Sequence, residues 1–95
     1  MAANAGSQVG TVKHIIVRAS DGLHYVYIDG PDSNKPACAT MSYWMIQNPT
    51  SEVGKSQFAM LLAAYTAGLN VKITGTNSCS VWPDGETANT VQLVE

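Results

Sequence analysis

Hydrophobic and polar residues alternate along much of the chain, as they do in strands with one face in a core. The segment from Val12 to Val17 is rich in β-branched residues, and the segment from His24 to Ile28 alternates tyrosine with valine and isoleucine. The turn formers Ser20-Asp21-Gly22 lie between the two segments. We therefore predict that the first two strands form a hairpin.

Three further strands are predicted by the same pattern. The stretch from Asp29 to Pro36 is rich in glycine, proline, aspartate and asparagine, which indicates a loop. Alternation from Ala37 to Ile46 then predicts a third strand. Residues from Leu69 to Gly75 and from Thr87 to Val94 follow as the fourth and fifth strands.

One helix is predicted between strands three and four. Thr50 or Ser51 can serve as its N-cap, and Glu52 suits the positive end of the helix dipole. Gly68 can adopt the left-handed conformation that ends a helix, so the helix is expected to run to about Ala67. Apolar residues recur at spacings of three, four and seven. They predict a stripe that faces the core, formed by Val53, Phe58, Leu61, Leu62 and Tyr65.

This order of elements predicts an α+β, mostly β, fold. Five strands with one helix between strands three and four correspond to an OB-type Greek-key barrel. An open α+β sandwich with the helix on one face is the alternative that the pattern permits. We expect a single OB-like domain over residues 1–95, in which residues 1–9 form a flexible N-terminus.

Composition narrows the range of partners. The 95 residues are 45% hydrophobic and 13% charged, with a formal net charge of −2. No apolar run reaches the length that crosses a bilayer as a helix. No basic cluster offers a surface to a polyanion. We expect neither a membrane span nor a nucleic-acid partner.

Two features favour export. Ala3-Asn4-Ala5 has the A-x-A form that precedes cleavage by signal peptidase, so we expect a secreted or periplasmic protein whose signal peptide has been removed. Cys38 and Cys79 are too far apart for a CxxC motif, and two cysteines alone make a poor metal site. A disulfide between them suits an oxidising compartment. Two unpaired buried thiols are the alternative.

Residues that could carry catalysis are few. No Ser-His-Asp order, GxSxG, HExxH or phosphate-loop motif occurs in the sequence. Asp84 and Glu86 could be the acid pair of a glycosidase, but their proline- and glycine-containing surroundings suggest a solvated turn. His14 and His24 lie on neighbouring strands but are not predicted to face each other. We therefore expect no metal, no cofactor and no enzyme activity.

Aromatic residues with a polar edge are the best candidates for binding, because sugar-binding and protein-binding surfaces use them. Trp82 lies in the loop from Ser80 to Gly85 beside the predicted disulfide, where it is either an exposed anchor or a plug for the barrel end. The other candidates are Tyr25, Tyr27, Tyr43 and Trp44.

Several segments resemble small, mostly uncharacterised exported bacterial proteins, and the resemblance covers most of the chain. The segments are Ala37-Cys38-Ala39-Thr40, Trp44, residues 54–65, residues 68–73, Gly75-Thr76, Cys79-Ser80, Trp82, Asp84 and Glu86. This resemblance implies an exported protein without indicating a particular activity.

More distantly, part of the chain is similar to the B subunits of subtilase-cytotoxin-type and pertussis-like toxins. The similarity covers the cysteine strand, the helix that ends in Tyr-x-x-Gly and the strand after it. Those subunits are pentameric OB folds that bind sialylated glycans through a serine and neighbouring polar residues. In this chain the first hairpin offers Ser20 and Asp21 for such a role. The predicted ligand-binding residues are Ser20, Asp21, Tyr25, Tyr27 and Trp82.

These observations lead to one functional hypothesis and one alternative. The hypothesis is a non-catalytic exported binding module that recognises a glycan or a partner protein. The alternative is a structural or assembly subunit of a secreted or envelope complex that binds no ligand. Such a subunit would pair through an exposed edge strand with a second copy or with a larger partner, so a homo-oligomer is compatible with it.

Overall fold

The computed structural model describes residues 5–94, which form six strands and one helix. The strands are β1 (Ser7–Val17), β2 (His24–Asp29), β3 (Asp32–Ser33), β4 (Trp44–Met45), β5 (Asn70–Gly75) and β6 (Glu86–Val94), and the helix is α1 (Glu52–Ala67). Most of the predicted signal-peptidase motif, Ala3 and Asn4, lies outside the described residues. Within residues 5–94, no helix is long and apolar enough to cross a membrane.

Five of the six strands close into a barrel. β1 pairs antiparallel with β2 and with β5, and β5 pairs antiparallel with β6. β4 completes the ring by pairing antiparallel with β2 and parallel with β6. β3 adds only a short edge to β1. The predicted mostly β barrel is confirmed, with its helix between the third and fourth barrel strands, and the open sandwich is not formed.

The barrel interior holds one large aromatic side chain, and the polar atom of that side chain has a hydrogen-bond partner. Trp44 is fully buried, and its indole Nε1 donates a hydrogen bond to Oε1 of Gln8 at 2.8 Å. The Gln8 amide donates to the carbonyl oxygen of Ile28 at 3.0 Å and also to that of Gly30. Buried polar groups need such partners. The core around them contains Val12, Val26, Ile28, Ile46, Leu61, Ala64, Val71, Ile73 and Ala88.

Two strand boundaries differ from the prediction. The alternating segment from Ala37 to Ile46 contributes only Trp44–Met45 to the sheet, because residues 37–43 use their backbone groups in local turns and loop contacts. Alternation by itself does not distinguish a ladder from such turns. β1 begins at Ser7, so residues 7–9 belong to a paired strand rather than to a flexible N-terminus.

α1 begins and ends where the sequence predicts. The hydroxyl of the N-cap Ser51 accepts a hydrogen bond from the backbone N–H of Gly54 at 3.0 Å. Gly68 ends the helix in the left-handed conformation with a φ of 68°. Capping signals are local, and this is why they are readable from the sequence.

The predicted apolar stripe of α1 is wrong for three of its five residues. Val53, Leu62 and Tyr65 are 68%, 49% and 53% exposed, whereas the buried helix residues are Gly54, Leu61 and Ala64. A methyl group at Gly54 would overlap the carbonyl oxygen of Asn48. Leu61 is thus the one large side chain among the three buried residues of α1, and the other two, Gly54 and Ala64, are small. This orientation turns several of its larger residues outward.

Glu86 is buried at the start of β6 and is not part of a solvated turn. Its Oε2 accepts hydrogen bonds from the backbone N–H groups of Gly6 at 3.1 Å and Asn77 at 3.0 Å. Nearby, Lys35 Nζ lies 3.8 Å from the centre of the Trp44 ring. Burial lowers the pKa of Lys35, and the negative charge of Glu86 opposes that shift. The Glu86 carboxylate thus fastens two backbone segments to the barrel.

The predicted disulfide is present. Cys38 and Cys79 are bonded, with their Cα atoms 6.2 Å apart, and neither cysteine is free. The bond joins the irregular segment before β4 to the loop before β6. In the chain-entropy model, a disulfide that closes a loop of this length stabilises a protein by about 4 kcal/mol.

Replacing both cysteines, Cys38→Ala with Cys79→Ala, is expected to lower the melting temperature by about 15 °C or more, because the unfolded chain loses its cross-link. Thermal denaturation followed by circular dichroism measures this change. Wild-type protein treated with a dithiol is the control and should melt like the variant. An unchanged melting temperature would contradict the stabilising role of the bond.

Gly75→Ala is expected to destabilise the fold by about 3 kcal/mol, because the added methyl group would overlap the buried carboxylate of Glu86. Gly22→Ala is the comparison, since Gly22 has a φ of 72° and open space around it. That variant should lose only about 1 kcal/mol, from backbone strain. Urea denaturation of both variants tests the difference, and equal losses would show that Glu86 moves aside.

Candidate functional site

The outer surface of the β1–β2 hairpin carries a row of aromatic rings. Tyr25 and Tyr27 point outward, because the residues that alternate with them fill the barrel. A bulge between Val12 and His14 places His14 opposite Tyr27, and not opposite His24, as the sequence predicts. The rings of His14 and Tyr27 meet edge to face, 5.6 Å apart.

Tyr43, from the segment that precedes β4, packs against this row and is itself only 8% exposed. Its ring centre lies 5.1 Å from that of Tyr25 and 5.6 Å from that of Tyr27, in edge-to-face contacts. We define the aromatic face as Tyr25, Tyr27, Tyr43 and Trp82 together with Arg18. Two of its rings come from a regular strand, and the other two come from irregular segments.

Arg18 connects Trp82 to the rest of the face. The guanidinium carbon lies 5.9 Å from the centre of the Tyr25 ring and 5.0 Å from the centre of the Trp82 ring. Asp21 holds the guanidinium through two contacts, one of them from Nε at 3.2 Å. The hydrogen bond from Arg18 lowers the pKa of Asp21. This exposed ion pair adds little stability, but its fork geometry orients the guanidinium between the two rings.

Asp84 anchors Tyr43. The Tyr43 hydroxyl donates a hydrogen bond to the Asp84 carboxylate, and the Asp84 carbonyl oxygen accepts one from the backbone N–H of Met41 at 3.0 Å. Burial, followed by the hydrogen bond to Asp84, raises the pKa of Tyr43 to about 12. A methyl group at Gly85 would overlap the Tyr43 ring. The segments around Tyr43 and Asp84 therefore pack as one unit.

The structure brings together four of the five predicted ligand-binding residues. Tyr25, Tyr27 and Trp82 belong to the aromatic face, and Asp21 joins it through Arg18. Ser20 lies exposed in the hairpin turn, outside the contacts that build the face. Trp82 is half-buried against Arg18 and is not part of the barrel core, so it does not plug the barrel.

Arg18 is absent from the prediction, although its position three residues before Asp21 across a turn is a readable signal for an ion pair. Tyr43 is recognised as an aromatic candidate but not as a site residue. Tyr43 is held in the face by its hydrogen bond to Asp84, which lies on another loop. The two residues are 41 positions apart in the sequence, so no local pattern predicts the contact.

The other candidate chemistry is dispersed. Among residues 5–94, no group of three or more histidine, cysteine, aspartate or glutamate side chains could hold a metal ion. His24 packs against Phe58, with ring centres 5.1 Å apart. Asp84 bonds to Tyr43, whereas Glu86 is held by backbone N–H groups inside the barrel. The two carboxylates therefore have separate structural partners.

A separate cleft of about 340 Å³ lies where α1 begins, and its lining includes the carboxamides of Gln47, Asn48, Gln57 and Asn89. The Gln57 amide donates a hydrogen bond to the Asn89 carbonyl oxygen at 2.8 Å, which ties the helix to β6. None of the predicted ligand-binding residues lines this cleft. The aromatic face is therefore the surface that contains most of the predicted ligand-binding residues.

Asp84→Asn is expected to lower the pKa of Tyr43 from about 12 towards its usual value of 10.0, because the carboxylate that opposes ionisation is removed. In the wild type, the raised pKa means that the neutral Tyr43 contributes stability below pH 10, which is lost as the pH rises from 10 to about 12. Ultraviolet absorbance of tyrosinate measures the titration, and Tyr43→Phe identifies the late-titrating group. An unchanged pKa in Asp84→Asn would contradict this assignment.

Comparison with known proteins gives no indication of what the aromatic face does. No family model, no curated protein and no solved structure matches the chain. The resemblance to exported proteins and to toxin B subunits therefore stays a prediction. Function has to be inferred from the residues of the face and from the barrel that carries them.

Proposed function

We propose that the protein is a non-catalytic binding module that recognises a glycan through the aromatic face, outside the cytoplasm. The observation that carries the proposal is the position of the Arg18 guanidinium carbon, 5.9 Å from the centre of the Tyr25 ring and 5.0 Å from the centre of the Trp82 ring. The contact places two aromatic rings and the polar groups of Arg18 and Asp21 close together beside the hairpin. Specific binding sites combine apolar and aromatic surface with a few fixed polar groups.

The polar groups of the face suit hydroxylated ligands. Arg18 and Asp21 offset each other's charge, so the face offers donors and acceptors without a strong excess of either sign. Tyr25 and Tyr27 are half-buried and present amphipathic rings. A sugar ring has an apolar face that can pack on an aromatic ring and hydroxyl groups that can bond at its edge. We therefore favour a glycan over a strongly charged ligand.

The angles between the rings limit the size of the ligand. The Tyr43 ring is inclined by 61° to that of Tyr25 and by 74° to that of Tyr27. Rings inclined in this way do not form a flat platform for a long polysaccharide chain. The face is better suited to one or a few sugar units held against individual rings.

The disulfide supports the proposed location. Disulfides persist in oxidising environments and are rare in the cytosol. The Cys38–Cys79 bond is therefore consistent with a secreted or periplasmic protein.

The alternative, an assembly subunit without a ligand, is favoured by one observation. Leu62, Tyr65 and Leu69 at the end of α1 are each about half exposed, at 49%, 53% and 46%. Exposed apolar side chains of this kind occur where proteins associate. In such a subunit the aromatic face would also meet protein, because tyrosine, tryptophan and arginine dominate protein interfaces.

A glycan array tests the proposal with wild-type protein, Trp82→Ala and Tyr65→Ala. Wild type should bind a defined class of glycans, and Trp82→Ala should weaken that binding by about tenfold, through the loss of one stacking ring. Tyr65→Ala removes an exposed aromatic residue from the helix, away from the face, and should bind like wild type.

Absence of glycan binding by the wild type, or equal losses in both variants, would refute the proposal. Light scattering on the same samples separates the alternative. Oligomers without glycan binding would favour the assembly subunit.

A further inference from the structure

We propose that the Cys38–Cys79 disulfide is a redox-controlled support of the aromatic face. Its reduction would release Trp82 from the face while the barrel stays closed. This inference rests on the proposed function, because it concerns control of the same face.

The face is built from parts of unequal stability. Tyr25 and Tyr27 lie on β2, where six residues pair with β1 along a continuous hairpin. Tyr43 and Trp82 lie in the segments 34–43 and 76–85, in which the only ladder contact of the described residues is an isolated bridge between Trp82 and Gly85. Segments with few backbone pairs open locally at low cost.

Besides the packing of Gly85 on the Tyr43 ring, few contacts hold the two irregular segments together. One backbone hydrogen bond links Met41 to Asp84 at 3.0 Å, and one side-chain bond links Tyr43 to Asp84. The disulfide is the covalent tie between the same two segments and spans 41 residues of sequence. It holds them at the distance at which these weaker contacts form. Without the disulfide, these contacts alone would have to compensate for the conformational entropy that the two segments lose when they are ordered.

Residues 76–78 stay bonded to β6 through Glu86 and Thr87, so the part that the disulfide controls begins at Cys79, and the barrel does not depend on that part. Neither cysteine lies in a barrel strand, and all five barrel strands pair through their own backbone groups. The fully buried Trp44 keeps its bond to Gln8 inside the barrel. Release of the loops therefore leaves the hydrophobic core in place.

The sulfur atoms belong to residues that a small dithiol can approach, because Cys38 is exposed and Cys79 is half-buried. A dithiol thiolate attacks one sulfur, breaks the S–S bond and forms a mixed disulfide. The second thiol of the reagent then displaces the protein sulfur and closes a cyclic disulfide. The protein gains two electrons and two protons as two thiols, and the dithiol loses the same number.

Tryptophan fluorescence tests the proposal without any ligand. The two tryptophans report separately, because Trp44 is fully buried and Trp82 is half-buried on the face. After treatment with a dithiol, acrylamide quenching should rise about twofold as the Trp82 loop opens, while the far-ultraviolet circular dichroism at room temperature stays unchanged. Cys38→Ser with Cys79→Ser should behave like the reduced protein and ignore the dithiol. Trp82→Phe should abolish the rise.

Two outcomes would overturn the proposal. Quenching that does not change on reduction would show that the loops stay in place. Loss of the circular dichroism signal would show that the bond supports the whole fold and not the face in particular. If the array identifies a glycan, its affinity should fall by about tenfold on reduction, the loss expected for one stacking ring. If no glycan binds, the proposed function fails while the quenching still decides whether the loops are released.

Discussion

Closure of the barrel depends on two residues, Trp44 and Met45. They pair with β2 on one side and with β6 on the other, and both side chains are fully buried. Without this short strand, β2 and β6 would present unpaired edges, and the Trp44 indole would lose its bond to Gln8. A strand of two residues is enough to close the barrel, because the buried side chains of Trp44 and Met45 hold it in place in addition to its backbone pairs.

The same short strand explains how the barrel carries the aromatic face. The chain before β4 is irregular, and it places Tyr43 beside the two tyrosines of the hairpin. The loop before β6 brings Trp82 and Asp84 to the same side. A rigid ladder thus presents half of the aromatic face, and loops fastened by one disulfide present the other half. This division between scaffold and loops is typical of binding surfaces on small β folds.

Much of the fold follows from local patterns. The caps Ser51 and Gly68 mark the helix, and the alternation of β2 predicts both the core residues and the outward tyrosines. The outward residues of the hairpin are readable for the same reason, since a strand exposes every second side chain. Glu86 is different. Its neighbours suggest a solvated turn, yet two distant backbone N–H groups stabilise its carboxylate in the interior.

The sequence by itself determined the order of the barrel strands and the helix ends, and it predicted the disulfide with two free thiols as the alternative, because these depend on neighbouring residues or on counting. Tertiary structure decided which side of the helix is buried, how short the third barrel strand is and which loop residues complete the aromatic face. Those features depend on contacts between residues far apart in the chain, such as Leu61 and Ala64 with the core residues of the strands, and Tyr43 with Asp84 across the loops. No local pattern encodes the distance between such partners.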